Sequence, residues 1–153
     1  MPDDATEDAR PDLAAMMVPL GRALSAGELP ILAVHELTMW AYIVLMALAD
    51  QPARTQSALA VAIGADKTRI IPVLDDLQQR GYIDRRPDPA DRRGRLLSLT
   101  PSGHDMFRAA QTAIRGYERR VLDHLPTADR APFLRALSTL AALPWEAVAN
   151  PGT

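Results

Sequence analysis

Apolar positions recur at helical spacing along most of the chain and give way to alternation in one short stretch. Leu13, Met16, Met17, Leu20 and Leu24 fall on one face of a helix that Asp12 is placed to cap. Pro19 and Gly21 should bend or weaken that helix, and Gly27 and Pro30 mark its expected end. Next comes Met39 to Ala49, an unbroken run of 11 apolar residues that Thr38 can cap. A helix apolar nearly all round belongs in the middle of a fold. Thr55 then caps a short helix, Gln56 to Ile63, closed by Gly64, and Asp66 caps another that reaches Arg80 and stops at Gly81. Two helices joined by a short glycine-containing turn and followed by strands outline a helix-turn-helix.

The alternating stretch follows. Gly81-Tyr82-Ile83-Asp84-Arg85-Arg86 ends a helix and starts a strand, and Arg95-Leu96-Leu97-Ser98-Leu99 supplies a second. Between them lies the charged turn Asp91-Arg92-Arg93-Gly94. Thr100-Pro101-Ser102-Gly103 reads as a helix N-terminus, with Ser102 as the cap of a long helix running to about Leu125. Met106, Ala110, Ala113, Ile114, Tyr117, Val121 and Leu125 form its apolar stripe; Arg108, Arg115, Arg119 and Asp123 lie opposite. Pro126 stops it, and Thr127 or Asp129 starts a last helix with Phe133, Leu134, Leu137, Leu140 and Leu143. Residues 1–11 are acidic and poor in hydrophobes and are expected to be a disordered tail; 145–153 form an unpatterned second tail.

Two short strands joined by an arginine-rich turn and preceded by a helix pair make a winged helix. The wing Asp91-Arg92-Arg93-Gly94, followed by a strand ending Leu99-Thr100-Pro101-Ser102-Gly103, resembles the multiple-antibiotic-resistance regulator (MarR) family over about Leu37 to Leu143. The resemblance implies a mainly α fold with a small β-wing. Residues 37–100 would be the DNA-binding winged helix-turn-helix, and 12–36 with 101–144 a helical dimerisation region. Their apolar stripes need a partner, and about 25 cal/mol per Å² of buried apolar surface favours pairing with a second copy.

Composition changes the picture in three places. Net charge is −2, but residues 1–53 carry 2 basic and 8 acidic side chains, whereas residues 54–95 carry 9 basic and 6 acidic. The positive balance therefore sits on the helix pair and wing, where phosphates would lie. The chain has no cysteine, which removes disulfides, thiolate metal sites and a thiol redox sensor, and with them the peroxide-sensing branch of the family. Residues 1–12 lack the apolar core of a secretory signal, and an 11-residue run is too short to span a bilayer, so a soluble, cytoplasmic protein is expected.

The start of the second helix of a helix-turn-helix faces base edges in the major groove, which here means Lys67, Thr68, Arg69 and Ile71. Thr55, Gln56 and Ser57, at the start of the preceding helix, are placed to meet phosphates. Arg92 and Arg93 lie at or beside the wing tip, where a guanidinium can enter a narrow minor groove, and Arg85, Arg86 and Arg95 on the wing strands add phosphate contacts. Asp91 and Gly94 shape the wing. The resemblance implies that one arginine of the Asp-Arg-Arg triplet orients the wing against the helix pair, with Asp91 as its partner. Pro72, at the sixth position of the reading helix, deletes the N–H that would bond the Thr68 carbonyl, so the helix should kink there or have a loose first turn.

The resemblance also implies a small aromatic or lipophilic ligand, held by Met16, Met17, Leu20, His35, Trp40, Tyr42, Met106 and Phe107. His35, His104 and His124 show no close metal spacing, and no metal or cofactor is expected. No Gly-x-Ser-x-Gly, Walker loop or dinucleotide fingerprint is present, so an enzyme is not expected. The expected protein is a homodimeric transcription regulator of the MarR type. It would bind a pseudo-palindromic double-stranded DNA site as a repressor relieved by a small ligand, away from membranes. The alternative is a winged-helix interaction module without specific DNA binding.

Overall fold

The computed structural model describes residues 9–51 and 54–149. In chain order the elements are α1 (Leu13–Val34), α2 (Met39–Asp50), β1 (Arg54–Thr55), α3 (Gln56–Ile63), α4 (Lys67–Gln79), β2 (Ile83–Pro87), β3 (Arg95–Leu99), α5 (Pro101–Leu122), α6 (Thr127–Ala141) and α7 (Trp145–Ala149). They form two compact units, one ending at Ile114 and the other starting at Arg115.

In the first unit, Leu45 and Leu48 of α2 lie fully buried in a core completed by Leu32, Leu59, Leu74, Leu77 and Leu97. Each such side chain contributes about 1.5–3 kcal/mol relative to exposure. Three of the expected caps are present. Thr38 Oγ1 accepts from Ala41 N (3.1 Å), Thr55 Oγ1 from Ala58 N (3.1 Å) and Asp66 Oδ1 from Thr68 N (3.1 Å). Gly64 and Gly81 adopt φ of +64° and +79°, the left-handed geometry that closes α3 and α4.

The first helix departs from expectation. Rather than ending at Gly27 and Pro30, α1 runs on to Val34. Asp12 sits at its N-cap, but its side chain makes no capping bond. Pro30 costs one backbone donor, which the burial of Leu32 offsets. Its stop is Glu36, at φ 54°, with Glu36 N donating to Ala33 O and Leu37 N to Leu32 O. This is the same left-handed closure, with Glu36 where glycine is usual; Arg80 Nη1 fastens the Glu36 carbonyl at 2.8 Å.

The wing strands pair antiparallel as expected, with Ile83 opposite Leu99 and Pro87 opposite Arg95. A third strand, β1, pairs with the other side of β3, giving the order β1-β3-β2. The cap of α5 is Thr100 rather than Ser102: Thr100 Oγ1 accepts from Gly103 N at 3.0 Å. Its hydroxyl also donates to Gly81 O at 2.6 Å, and its N–H to Tyr82 O at 3.0 Å.

In the second unit α6 follows Pro126 directly, with Thr127 as its first residue and Asp129 in its first turn. Arg130 ties its start to the preceding turn through Asp123 Oδ1 (2.9 Å) and Leu125 O (3.2 Å). The stretch after Pro144 is not irregular throughout, because Trp145–Ala149 is helical and Trp145 Nε1 donates to Leu140 O at 2.9 Å. Phe133, Leu134, Leu137 and Leu140 of α6 are all exposed, as are Leu13, Met16, Met17, Val18 and Leu20 of α1. Among the described residues, α1 is also long and apolar enough to cross a membrane, by length and composition alone. It is not an unbroken apolar run, since Arg22 and Glu28 interrupt its sequence.

Candidate nucleic-acid interface

The start of α4 is well formed. Asp66 O accepts from both Arg69 N (3.0 Å) and Ile70 N (3.1 Å), so the first turn is not loose. The helix continues through Pro72 to Gln79 without a break. Ile70 is buried, which turns Lys67, Thr68, Arg69 and Ile71 outward, all exposed. The Thr68 backbone N–H, then its hydroxyl, hold the Asp66 carboxyl below its ordinary value, and the Arg69 charge adds to this. Arg69 lies over the indole of Trp40 on α2, 5.8 Å from the ring centroid.

At the start of α3, the Thr55 hydroxyl is occupied in capping, Gln56 is half-buried and Ser57 exposed. In the wing, Gly94 N donates to Asp91 O (3.0 Å) and Asp88 N to Gly94 O (3.1 Å). Arg92 and Arg93 are thus the two central residues of a tight turn, and both are exposed. Neither has an acidic partner within 4.0 Å among the described residues; nor do Lys67, Arg69 and Arg95. Arg86, also exposed, faces Asp84 loosely at 3.9 Å.

Asp91 does shape the wing, but its carboxylate accepts from the Arg93 backbone N–H (2.9 Å) and pairs with no guanidinium among the described residues. The arginine that ties the sheet to the helix pair is Arg85, whose Nη1 meets Asp75 Oδ1 of α4 at 2.7 Å. Strand alternation explains this. Arg85 shares a face with Ile83 and lies opposite Leu97, so it points toward the core, whereas Arg86 points away. Arg85 Nε and Nη2 are buried without a hydrogen-bond partner among the described residues. Arg85 is therefore committed to an internal contact, in a way the other wing arginines are not.

The expected ligand residues fall in separate settings. Tyr42 and Phe107 are buried in the core with ring centroids 5.8 Å apart. Met106 packs against that core, and Trp40 is half-buried beneath Arg69. Met16, Met17 and Leu20 lie on the exposed face of α1, and His35 is its half-buried C-cap. Among the described residues no three His, Asp or Glu side chains are grouped to hold a metal ion.

A family model described as "MarR family" matches residues 35–94, from the cap of α1 to the last residue of the wing turn. A Thauera aromatica protein described as a transcriptional regulatory protein for the hcr operon is 32% identical over 109 residues. That alignment spans 71% of this chain and 66% of the relative, leaving a third of the relative unmatched. The chain belongs to the MarR family. Among solved structures, the transcriptional repressor CouR bound to a 23-mer DNA duplex superposes with a TM-score of 0.74 at 27% identity, covering 85% of this chain and 92% of CouR. The PcaV regulator from Streptomyces coelicolor, in complex with its natural ligand, superposes at 0.65 and 29% identity over 87% and 96% of the two chains. The MarR match ends where the wing turn ends.

Proposed function

We propose that this MarR-family chain is a DNA-binding transcription regulator: a cytoplasmic homodimer that represses from a pseudo-palindromic operator and is released by a small molecule. The observation that carries the reading is the exposed cation set Lys67, Arg69, Arg92 and Arg93, free of ion pairs among the described residues. Lys67 and Arg69 suit guanine edges in the major groove, with Ile71 beside them for a thymine methyl. Arg92 and Arg93 suit the flanking minor groove, and Ser57, Arg86 and Arg95 add phosphate contacts. Two-fold symmetry sets half-site centres about 34–36 Å apart.

A second copy of the chain is the natural cover for the exposed apolar faces of α1 and α6. That cover also accounts for the apolar length of α1 without a bilayer, since Pro19, Arg22, Glu28 and Pro30 punctuate it. CouR, a repressor solved on DNA, and PcaV, solved with a ligand, support repression and ligand release. The competing interaction module draws on Pro72 and the net charge of −2; the hydrogen-bonded first turn of α4 weakens the first motive, and the positive balance of residues 54–95 the second.

The test is selection of bound duplexes from a random library, with sedimentation of the purified protein alongside. An enriched palindrome and a species of twice 16.7 kDa are expected. A folded monomer at micromolar concentration, or no enriched sequence at any salt concentration, overturns the proposal.

A further inference from the structure

We propose that Trp40 is a positioning residue for base readout: its indole face holds the Arg69 guanidinium so that the guanidinium edge is presented to a base pair. The inference rests on the reading of α4 as the base-reading helix.

Arg69 is the third residue of α4 and is exposed. A long arginine side chain in that setting samples many rotamers, and a contact to a base would have to freeze them. Here the guanidinium lies over a Trp ring 5.8 Å away. Trp40 is itself restrained, being half-buried on α2 between Met39, which packs on the core, and buried Ala41. The Asp66 carboxylate at the cap of α4 acts on Arg69 from its own helix. A cation–π contact satisfies the charge of a guanidinium without an acceptor atom, so its N–H donors are not spent on an ion pair. Arg69 has no acidic partner within 4.0 Å among the described residues, so those donors remain available for paired bonds to guanine O6 and N7. The indole thus fixes direction without consuming donors.

The experiment uses full-length protein and the duplex enriched from the random library, together with a copy altered at the base pair where Arg69→Ala loses preference. Trp40→Leu is expected to reduce discrimination between the two duplexes about two- to five-fold, the size of an exposed cation–π contact. Trp40→Phe, which keeps an aromatic face, should retain most of it, and Trp40→Leu should add nothing in an Arg69→Ala background. Trp40→Met serves as the non-aromatic variant if Trp40→Leu does not fold. Equal weakening on both duplexes, an undiminished effect without Arg69, or Arg69→Ala losing no base preference overturns the positioning role alone. Failure to enrich any duplex overturns the DNA-reading function, and this role with it.

Discussion

Gly103→Ala isolates the joint between the wing and α5. A Cβ at Gly103 would fall inside van der Waals contact with the Tyr82 carbonyl oxygen and 2.9 Å from the carbonyl carbon. Both sides of that clash are backbone, so no change of rotamer relieves it; α5 must retreat from Gly81-Tyr82. Retreat strains the two bonds that Thr100 makes there, to Gly81 O at 2.6 Å and Tyr82 O at 3.0 Å. Overpacking costs about 1–3 kcal/mol, and each weakened hydrogen bond about 1 kcal/mol. Alanine in place of glycine within a helix returns about 1 kcal/mol. The expected net loss is about 2–4 kcal/mol, read from urea unfolding followed by helical circular dichroism at one fixed protein concentration. Gly116→Ala, in the same helix, is the control. Its Cβ would meet only Arg119 Nη2 at 3.7 Å, so it should stabilise by about 0.5–1 kcal/mol. If Gly103→Ala matched Gly116→Ala, the reasoning about the close approach would be wrong.

Pro72→Ala should restore the donor to the Thr68 carbonyl and raise stability by about 1–3 kcal/mol, since Pro72 is exposed and its ring fills no core space; an unchanged thermal midpoint would contradict this. Arg92→Ala combined with Arg93→Ala should weaken binding to the selected duplex by about 1.5–3 kcal/mol per arginine and flatten its salt dependence, with unchanged circular dichroism. Equal affinity would remove the wing from the mechanism. The Asp66 carboxyl is held below its ordinary value by the Thr68 N–H, so its stabilisation is present above the unfolded carboxylate range and is lost as pH falls through the lower folded value. Asp66→Asn should therefore lose less stability than the parent below about pH 4, and an NMR titration of Asp66 with an ordinary or raised midpoint would refute the cap's charge.

What was legible in the chain was mostly local. Thr38, Thr55 and Asp66 cap within three residues of themselves, so their sequence context suffices. Gly64 and Gly81 announce left-handed stops for the same reason. Glu36 closes α1 in the same geometry, but a glutamate carries no such signal, and its support comes from Arg80, 44 positions away. The two-residue strand β1 exists only because Leu96 and Leu97 pair with it. Alternation in the wing put Arg85 on the face of Ile83, a fact open to inspection, yet the shared arginine chemistry of Arg85 and Arg86 concealed it. The cation–π contact of Arg69 with Trp40 joins two helices and leaves no trace in spacing.

Because β3 is bonded to β1 on one side and β2 on the other, it works as the fixed bar of a calliper. One jaw is the arginine turn that β2 and β3 carry; the other is the start of α3, which follows directly from β1 and is capped by Thr55. The opening between the jaws is set by a ladder register, Thr55 against Leu96 and Pro87 against Arg95, and not by loop flexibility. A register can change only in whole residues, about 3.4 Å at a time, and a one-residue slip would turn Leu97 out of the core. Single substitutions on this surface can alter its chemistry, whereas the spacing of the two jaws can change only by insertions or deletions that rebuild the sheet.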